Sequence, residues 1–332
     1  MNHIVLYFIF IVFIFRNQLN AQVNIPPDLS NDDLSEINEA IQLLKKEKLH
    51  IILPRKNSDT NEIYKKVFTD YWKFSQLDFV NDDGAKNIKN PIGFYFGLGS
   101  VDIKTTWTTH YSAGEISTFN FNNTYIFYQL YNIYSHTYKN TTDTLIQKLA
   151  LYDLYTDFPT LVQPFKLTDE NFSFGGKARN WSPGFLKNYL QFIQMNFEHP
   201  ENYKINTKIS IQGKHPMLKN LKTDTLFIPE YVFIRFNYMT GNESKRVSVK
   251  SLFKNYDFPY AVISMDKLSD KILHATKPVY YLHYAKSSAS TGSCIIDGNS
   301  GDILFSVSDH YYSYNLKQKE VKRMSDLIKK SK

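Results

Sequence analysis

The sequence predicts an α/β fold of two similar small sheets of mixed direction, each with helices packed on it, and an extra β-hairpin in the first half. Three observations support this prediction. Short apolar strands alternate with helix-like segments, one strand–helix–strand pattern occurs twice, and a block rich in Thr, Tyr and Phe lies between the two copies. Alternating strands and helices are typical of α/β proteins, and β-prone blocks are typical of hairpins.

The first copy of the pattern begins with a helix. Leu34, Ile37, Ile41 and Leu44 recur at the helical period and predict one buried helix face. The later segments of this copy are a strand at residues 49–53, a helix at 61–72, and strands at 77–80 and 92–96.

The aromatic block at residues 107–138 predicts the extra hairpin. Strands at 118–121 and 124–128 flank a turn at Asn122 and Asn123. The aromatic side chains of this block are either a face that stacks on glycans or ordinary strand residues, because aromatic residues are favoured in strands.

Two helices are predicted between the copies. Residues 144–155 have apolar residues at spacings of three and four. Residues 183–197 form the clearer helix, because Ser182 suits the N-cap and Pro183 suits the first turn.

The second copy begins at the strand 226–229. Its Phe253 and Tyr256 have the spacing of Phe68 and Tyr71 in the first copy. We therefore interpret the two halves as a duplication, and expect strand, helix and strand to superpose in the same order and hand, with these aromatic pairs at equivalent places on the helices.

The second copy ends in a predicted hairpin. Its elements are a helix at 267–275 and strands at 279–284, 292–296 and 302–307. The turn at 297–302, Asp-Gly-Asn-Ser-Gly-Asp, has the residues that hairpin turns need. With its flanks it resembles the terminal hairpin of PepSY-like modules and of many exported bacterial proteins of unknown function. This resemblance implies a two-stranded edge and no particular activity.

The N-terminus predicts export. Residues 4–15 are an unbroken apolar run, which has the length of a signal-peptide core and is shorter than a membrane span. Ala21 suits cleavage before Gln22, so we expect a secreted or periplasmic protein without a transmembrane helix in its mature chain. An uncleaved anchor is the alternative, because no Lys or Arg precedes the run.

The sequence divides into six expected parts, and its positive charge is concentrated in the last of them. The expected parts are a signal peptide at 1–21, a linker at 22–33, a first α/β unit at 34–140, a helical connecting segment at 141–220, a second α/β unit at 221–314 and a basic C-terminal tail at 315–332. The formal net charge is +7, and most of it lies in this tail. We therefore expect no nucleic-acid partner, since such proteins carry a basic face on the folded domain. The tail is either a basic amphipathic helix that touches an anionic surface or a solvated helix end.

Cysteine and histidine provide little chemistry. Cys294 is the single cysteine, so no disulfide forms within the chain. It is either a small buried side chain of an apolar strand or a nucleophile paired with His274, His283 or His310. The histidines show no metal-ligand spacing, and the sequence has no phosphate loop, nucleophile elbow or dinucleotide fingerprint. We predict no metal and no cofactor.

The loop at residues 175–183 is the predicted ligand-binding segment. Two glycines permit close approach, Lys177 and Arg179 supply charge, Trp181 can stack on a sugar or base, and Ser182 opens a helix whose free N–H groups favour an anion. The alternative is an ordinary loop before a capped helix.

These observations support three hypotheses. The first is a non-enzymatic exported envelope or secreted protein that binds a partner protein or a glycan. The second is a secreted hydrolase of an extracellular polymer, and the third is a structural component of an envelope assembly. Glycoside hydrolysis needs two carboxylates. The available acidic pairs are Asp82 with Asp83, Asp153 with Asp157, and Asp169 with Glu170.

Overall fold

The computed structural model describes residues 31–53, 58–80, 92–110, 116–137, 144–155, 160–161, 181–199, 212–236, 243–244, 246–286, 290–310 and 315–332. These residues form two mixed sheets with helices packed on them, which confirms the predicted fold class. No helix in this part of the chain is long and apolar enough to cross a bilayer.

The first sheet is built from the N-terminal half. Its elements are α1 (Asn31–Leu44), β1 (Lys48–Ile52), α2 (Ser58–Tyr71), β2 (Gln76–Val80), β3 (Gly93–His110), β4 (Ile116–Thr137), β5 (Thr144–Tyr155) and β6 (Thr160–Leu161). The strand order is β2-β1-β3-β4-β5, and β6 pairs with β4. β1 runs parallel to β2 and β3, and β4 pairs antiparallel with both β3 and β5.

The second sheet follows a linking helix. The elements are α3 (Pro183–Glu198), the 3₁₀ helices η1 (Pro216–Lys222) and η2 (Glu230–Phe233), β7 (Leu226–Pro229), β8 (Arg235–Phe236), β9 (Glu243–Ser244), α4 (Val249–Leu252), β10 (Tyr260–Ile263), α5 (Met265–Leu273), β11 (Tyr280–Lys286), β12 (Ser290–Asp297), β13 (Ile303–His310) and α6 (Gln318–Lys330). The strand order is β10-β7-β11-β12-β13. β8 and β9 form a separate two-stranded ladder.

The two sheets have the same topology. In each, the first strand along the chain is second in the strand order and parallel to both neighbours, and two strands that add antiparallel pairings complete the other side. One part of the predicted equivalence is wrong. Phe68 and Tyr71 lie on α2, but Phe253 and Tyr256 lie just beyond the short helix α4. Phe68, Phe253 and Tyr256 are nevertheless all buried, so the aromatic packing is kept where the helix is not.

The predicted helix at 144–155 is wrong, and so is a wholly helical connecting segment at 141–220. Residues 144–155 form β5, which pairs with β4 along its whole length. The register shifts between Leu130 and Tyr131, so that Leu151 is an extra residue on β5. A bulge of this kind interrupts strand alternation, and the interrupted pattern has apolar spacings that mimic a helix.

The predicted turn at Asn122 and Asn123 is also wrong. Both residues lie within the long strand β4, where Asn122 pairs with Lys104 and Asn123 with Ile103 of β3. The extra hairpin of the first half is therefore made by β3 and β4, which extend far beyond β1. Pairing with a neighbouring strand outweighs the local turn preference of two asparagines.

Helix α3 packs against both units. Toward the first unit, the Phe197 ring contacts Trp72 and Phe74 at centroid distances of 6.3 and 5.2 Å. Toward the second, the Phe185 ring stacks on Tyr281 at 4.9 Å. The buried apolar residues of both units consequently belong to one continuous core.

The predicted hairpin turn at 297–302 docks on α3. Asn188 Nδ2 donates to the Gly298 carbonyl at 3.1 Å, and Gln191 Nε2 donates to the Asn299 carbonyl at 3.1 Å. Asn188 Oδ1 also accepts from the Tyr281 hydroxyl at 3.0 Å. Side chains of α3 thus hold the turn through its main-chain carbonyls.

The C-terminal residues 315–332 are not a solvated tail. They form α6, whose Val321, Met324 and Ile328 are fully buried. The apolar side of this helix is therefore part of the core and is not available to enter a membrane.

Candidate functional site

A row of polar and aromatic side chains crosses four strands of the first sheet. β1 pairs His50 with Asp78 of β2 and with Tyr95 of β3, and β3 pairs Tyr95 with Tyr131 of β4. Paired residues project from the same face of a sheet. We call Asp78, His50, Tyr95 and Tyr131 the histidine row.

Strand alternation separates this row from the helices. Phe96 packs edge-on against Phe68 of α2 at a centroid distance of 5.1 Å, so that its face of the sheet carries the helices. Tyr95 directly precedes Phe96, and His50 lies between the buried Leu49 and Ile51. Because neighbouring strand residues alternate, Tyr95 and His50 point to the opposite face. The row therefore occupies the face away from α2.

The geometry of the row is tight. His50 Nδ1 donates to Asp78 Oδ2 at 2.8 Å. The His50 and Tyr95 rings lie 5.2 Å apart, and Tyr95 stacks on Tyr131 at 5.6 Å. Gly93 lies beside the imidazole, where an added Cβ would be 3.8 Å from His50 Nε2. Its φ of 147° disfavours any residue with a side chain at this position beside the imidazole.

Exposure changes along the row. The side chain of Asp78 is 48% exposed and that of His50 is 27% exposed, whereas Tyr95 is buried. Burial raises the pKa of Tyr95. Burial, with the neighbouring Tyr95, raises the pKa of Tyr131 to about 12. Both phenols are therefore neutral hydrogen-bond donors at neutral pH, and the charged end of the row is the one that reaches solvent.

The row can perform two kinds of chemistry. An ionised carboxylate only accepts hydrogen bonds, so Asp78 fixes the proton on His50 Nδ1 and leaves Nε2 able to accept one. The Asp78 carboxylate and His50 Nε2 thus offer acceptors to a hydroxyl-rich ligand. A histidine oriented by a carboxylate is also an arrangement that can take a proton from water.

The predicted loop site is only partly within the described residues. Lys177 and Arg179 lie outside them, so their role stays a prediction. Ser182 is the N-cap of α3, and its Oγ accepts from the Phe185 amide at 3.3 Å. The Gly184 amide donates to Ser269 Oγ at 3.0 Å.

The free helix amides that were expected to hold an anion are not available. Pro183 has no N–H, and the Leu186 amide donates to the Ser182 carbonyl. The Gly184 and Phe185 amides donate to the hydroxyls of Ser269 and Ser182. The start of α3 is thus closed by the protein's own oxygens.

Trp181 has a packing role. Its ring stacks near Tyr64, Phe96 and Tyr189 at centroid distances of 5.7, 6.1 and 6.2 Å. The partly buried indole thus connects α2, β3 and α3 rather than standing ready to stack on a sugar.

Cys294 lies in the interior, which confirms its interpretation as a small buried side chain. It is the cross-strand partner of His283, and its Sγ lies 3.5 Å from Ser306 Oγ. Both Cys294 and His283 are fully buried, and burial lowers the pKa of the His283 imidazole to about 3. A catalytic thiolate needs a partly exposed electropositive setting, which this is not.

The predicted acidic pairs lie mostly outside the described residues. Within the described ranges, no group of three or more His, Cys, Asp or Glu residues is placed to hold a metal ion. Asp82, Asp83, Asp157, Asp169 and Glu170 lie outside those ranges. Asp153 lies on β5.

Sequence reasoning missed the histidine row. His50 and Asp78 each stand at the centre of a correctly predicted strand, but their pairing depends on the parallel register of β1 with β2. A polar residue at the middle of each of two apolar strands was the available signal. Comparison of the chain with protein-family models, curated proteins and solved structures found no match, so the geometry alone supports a function.

Proposed function

We propose that the protein is a non-enzymatic exported envelope or secreted protein that binds a partner protein or a glycan through the histidine row. The observation that carries this proposal is the pairing of Asp78 with His50 at the exposed end of a row that continues through the stacked rings of Tyr95 and Tyr131. Export is supported by the apolar run at residues 4–15.

The chemistry of the row favours a hydroxyl-rich ligand. Asp78 and His50 Nε2 accept hydrogen bonds at the exposed end of the row. The partly exposed ring of Tyr131 supplies apolar surface on the same face, a combination common in small-ligand sites. A glycan presents alternating hydroxyls and C–H faces that match both.

Isothermal titration with chitotetraose, cellotetraose and maltotetraose tests the glycan form of this proposal. The double variant Asp78→Asn, His50→Gln should lose about tenfold or more in affinity, since hydrogen bonds to charged groups contribute about 1.5–3 kcal/mol.

The second unit offers a matched control for this titration. His274 Nδ1 and Asp270 Oδ1 are 3.0 Å apart on α5, and both side chains are well exposed. The variant Asp270→Asn, His274→Gln should leave binding unchanged. Equal losses in both variants, or no binding of any of the three sugars, would contradict a glycan site at the row.

A hydrolase of an extracellular polymer is the second candidate, and the carboxylate-oriented imidazole of His50 favours it. In this case Nε2 takes a proton from the water that attacks the anomeric carbon, and Asp78 stabilises the imidazolium. As the glycosidic C–O bond breaks, the imidazolium returns this proton to the leaving oxygen. Release of reducing ends from chitin or cellulose should then fall by about a hundredfold in His50→Gln, as expected for loss of a general base. Unchanged release in that variant would exclude this role.

A further inference from the structure

The second unit carries its positive charge in one layer of helices, which we call the basic layer: η1, α4 and α6. These elements contact one another, since Lys222 Nζ donates to the Ser331 carbonyl at 2.6 Å and Gln318 Nε2 donates to the Ser251 carbonyl at 2.7 Å. The Asp257 amide also donates to Ser325 Oγ at 3.1 Å. Helix α6 is thereby fixed between the other two.

The layer covers the face of the second sheet opposite to α3. Tyr281 of β11 stacks on Phe185 of α3, whereas the Tyr280 hydroxyl accepts from Asn220 of η1 at 2.8 Å. Neighbouring strand residues point to opposite faces. The outer surface of the basic layer therefore faces away from the linking helix and from the first sheet's contacts with it.

Charge on this outer surface is strongly biased. The exposed basic residues are Lys219 and Lys222 of η1, Lys250 of α4, Lys254 beside it, and Lys319, Lys322, Arg323, Lys329 and Lys330 of α6. The exposed acidic residues nearby are Asp224, Asp257 and Asp326. Glu320 of α6 is not on the outer surface, because it is buried and its Oε2 accepts from the Lys317 amide at 2.7 Å.

The layer presents charge without apolar side chains. Val321, Met324 and Ile328 are turned into the core, and the large apolar residues that are exposed in the described ranges, Leu43, Ile63, Ile92 and Val262, belong to other elements. A partner would be held by electrostatic attraction and not by insertion.

We propose that the basic layer is a preformed docking surface for the anionic phospholipid headgroups of a bilayer. Nearly all of its cations are lysines, which act as point charges suited to a diffuse anionic surface, whereas paired recognition of individual phosphates favours arginine. The apolar run at residues 4–15 predicts that the chain meets a membrane as signal or anchor. This surface is separate from the histidine row and does not depend on a ligand there.

Sedimentation of the full chain with vesicles tests the proposal. The protein should bind vesicles of one part phosphatidylglycerol to two parts phosphatidylcholine far better than vesicles of phosphatidylcholine alone. The preference should weaken steeply as the salt rises from about 0.05 M to about 0.5 M, because screening shortens the reach of surface charges. Any binding through residues 4–15 contributes to both vesicle types, so the ratio between them reports the basic layer.

A matched pair of variants locates the effect. Lys319→Gln, Lys322→Gln, Arg323→Gln and Lys330→Gln together should reduce the preference for anionic vesicles by about a hundredfold to a thousandfold, because each Lys or Arg near such a surface contributes up to about 1 kcal/mol. The control variant changes exposed lysines of the first unit, Lys45→Gln, Lys46→Gln, Lys66→Gln and Lys73→Gln, and should keep the preference. Circular dichroism and thermal midpoints should show both variants folded.

Three results would overturn the proposal. One is equal binding to both vesicle types, and another is an equal loss in the control variant. The third is displacement from anionic vesicles by duplex DNA at matched phosphate concentration, which would assign the basic layer to nucleic acid.

Discussion

The two sheets share one strand order, but each gives a histidine a different environment. His50 of the first sheet is partly exposed and donates to Asp78, while His283 of the second is fully buried beneath α3. The Tyr189 hydroxyl and His283 Nε2 are joined by a hydrogen bond of 2.8 Å, and Nδ1 has no partner within the described part of the chain. Topology fixes where the strands lie, and the element packed on the sheet decides whether a histidine is available for chemistry.

The largest effect is expected where α3 crosses α5. A Cβ on Gly184 would lie 2.5 Å from the Ser269 carbonyl oxygen, so the two helices would have to separate. Gly184→Ala should lower the free energy of unfolding by about 3 kcal/mol, as overpacked sites do. Chemical denaturation measures this loss, and hydrogen exchange should show that β11 loses protection before β1.

Gly97 of the first sheet is the control for this comparison. An added Cβ there would lie 3.5 Å from Ile52 Cβ, which is an ordinary contact. Gly97→Ala should therefore change stability little. A similar loss from both substitutions would show that the second unit is not held more closely by α3.

A smaller effect is expected at the clamp on the hairpin turn. Asn188→Ala leaves the Tyr281 hydroxyl and the Gly298 carbonyl without their buried partner, which should destabilise the protein by about 2 kcal/mol. Gln191→Ala removes the bonds of Gln191 to the Asn299 carbonyl and to Asn188 Nδ2 at a half-buried position, where water can replace them, and should destabilise the protein less. Thermal unfolding of the two variants measures both losses of stability. A larger loss in Gln191→Ala than in Asn188→Ala would contradict the prediction that Asn188 is the main contact between α3 and the turn.

The pH dependence of stability distinguishes the buried His283 from an exposed histidine. Burial lowers the pKa of His283 to about 3, below the unfolded value of 6.5. Between these values the unfolded chain binds a proton that the folded protein does not. His283 therefore contributes stability above pH 6.5 that is lost as the pH falls toward 3, by up to about 1.4 kcal/mol for each pH unit.

Denaturation curves at several pH values test this linkage. His283→Gln should flatten the slope of stability against pH over that window, whatever its stability at pH 7. The exposed His274→Gln is the control and should preserve the slope. An unchanged slope in His283→Gln would mean that other groups govern acid unfolding.

Much of the fold was predictable because its signals are local. The strands β1, β2 and β7 are short apolar runs, and α3 begins with Ser182 at its N-cap and Pro183 in its first turn. The failures concern pairing at a distance. β5 was hidden by the extra residue Leu151, and β4 continues through two asparagines because β3 pairs with it.

The candidate site was less predictable than the fold. Trp181 and Ser182 have the residue types of a binding loop, but packing and capping occupy them. His50 and Asp78 are separated by 28 positions, and only the parallel register brings them together. Residue chemistry can be recognised in a sequence, whereas the meeting of two side chains across strands depends on the complete sheet.

Helix α3 has a consequence for the synthesis of the chain. It leaves the ribosome with the first unit, yet its Phe185 and Tyr189 rings are covered by Tyr281 and His283, which are translated later. The nascent chain therefore exposes an aromatic surface until the second sheet is complete, a state in which chains are prone to aggregate. Truncation before β11 should yield insoluble protein, and a chaperone that shields aromatic segments would act during this interval.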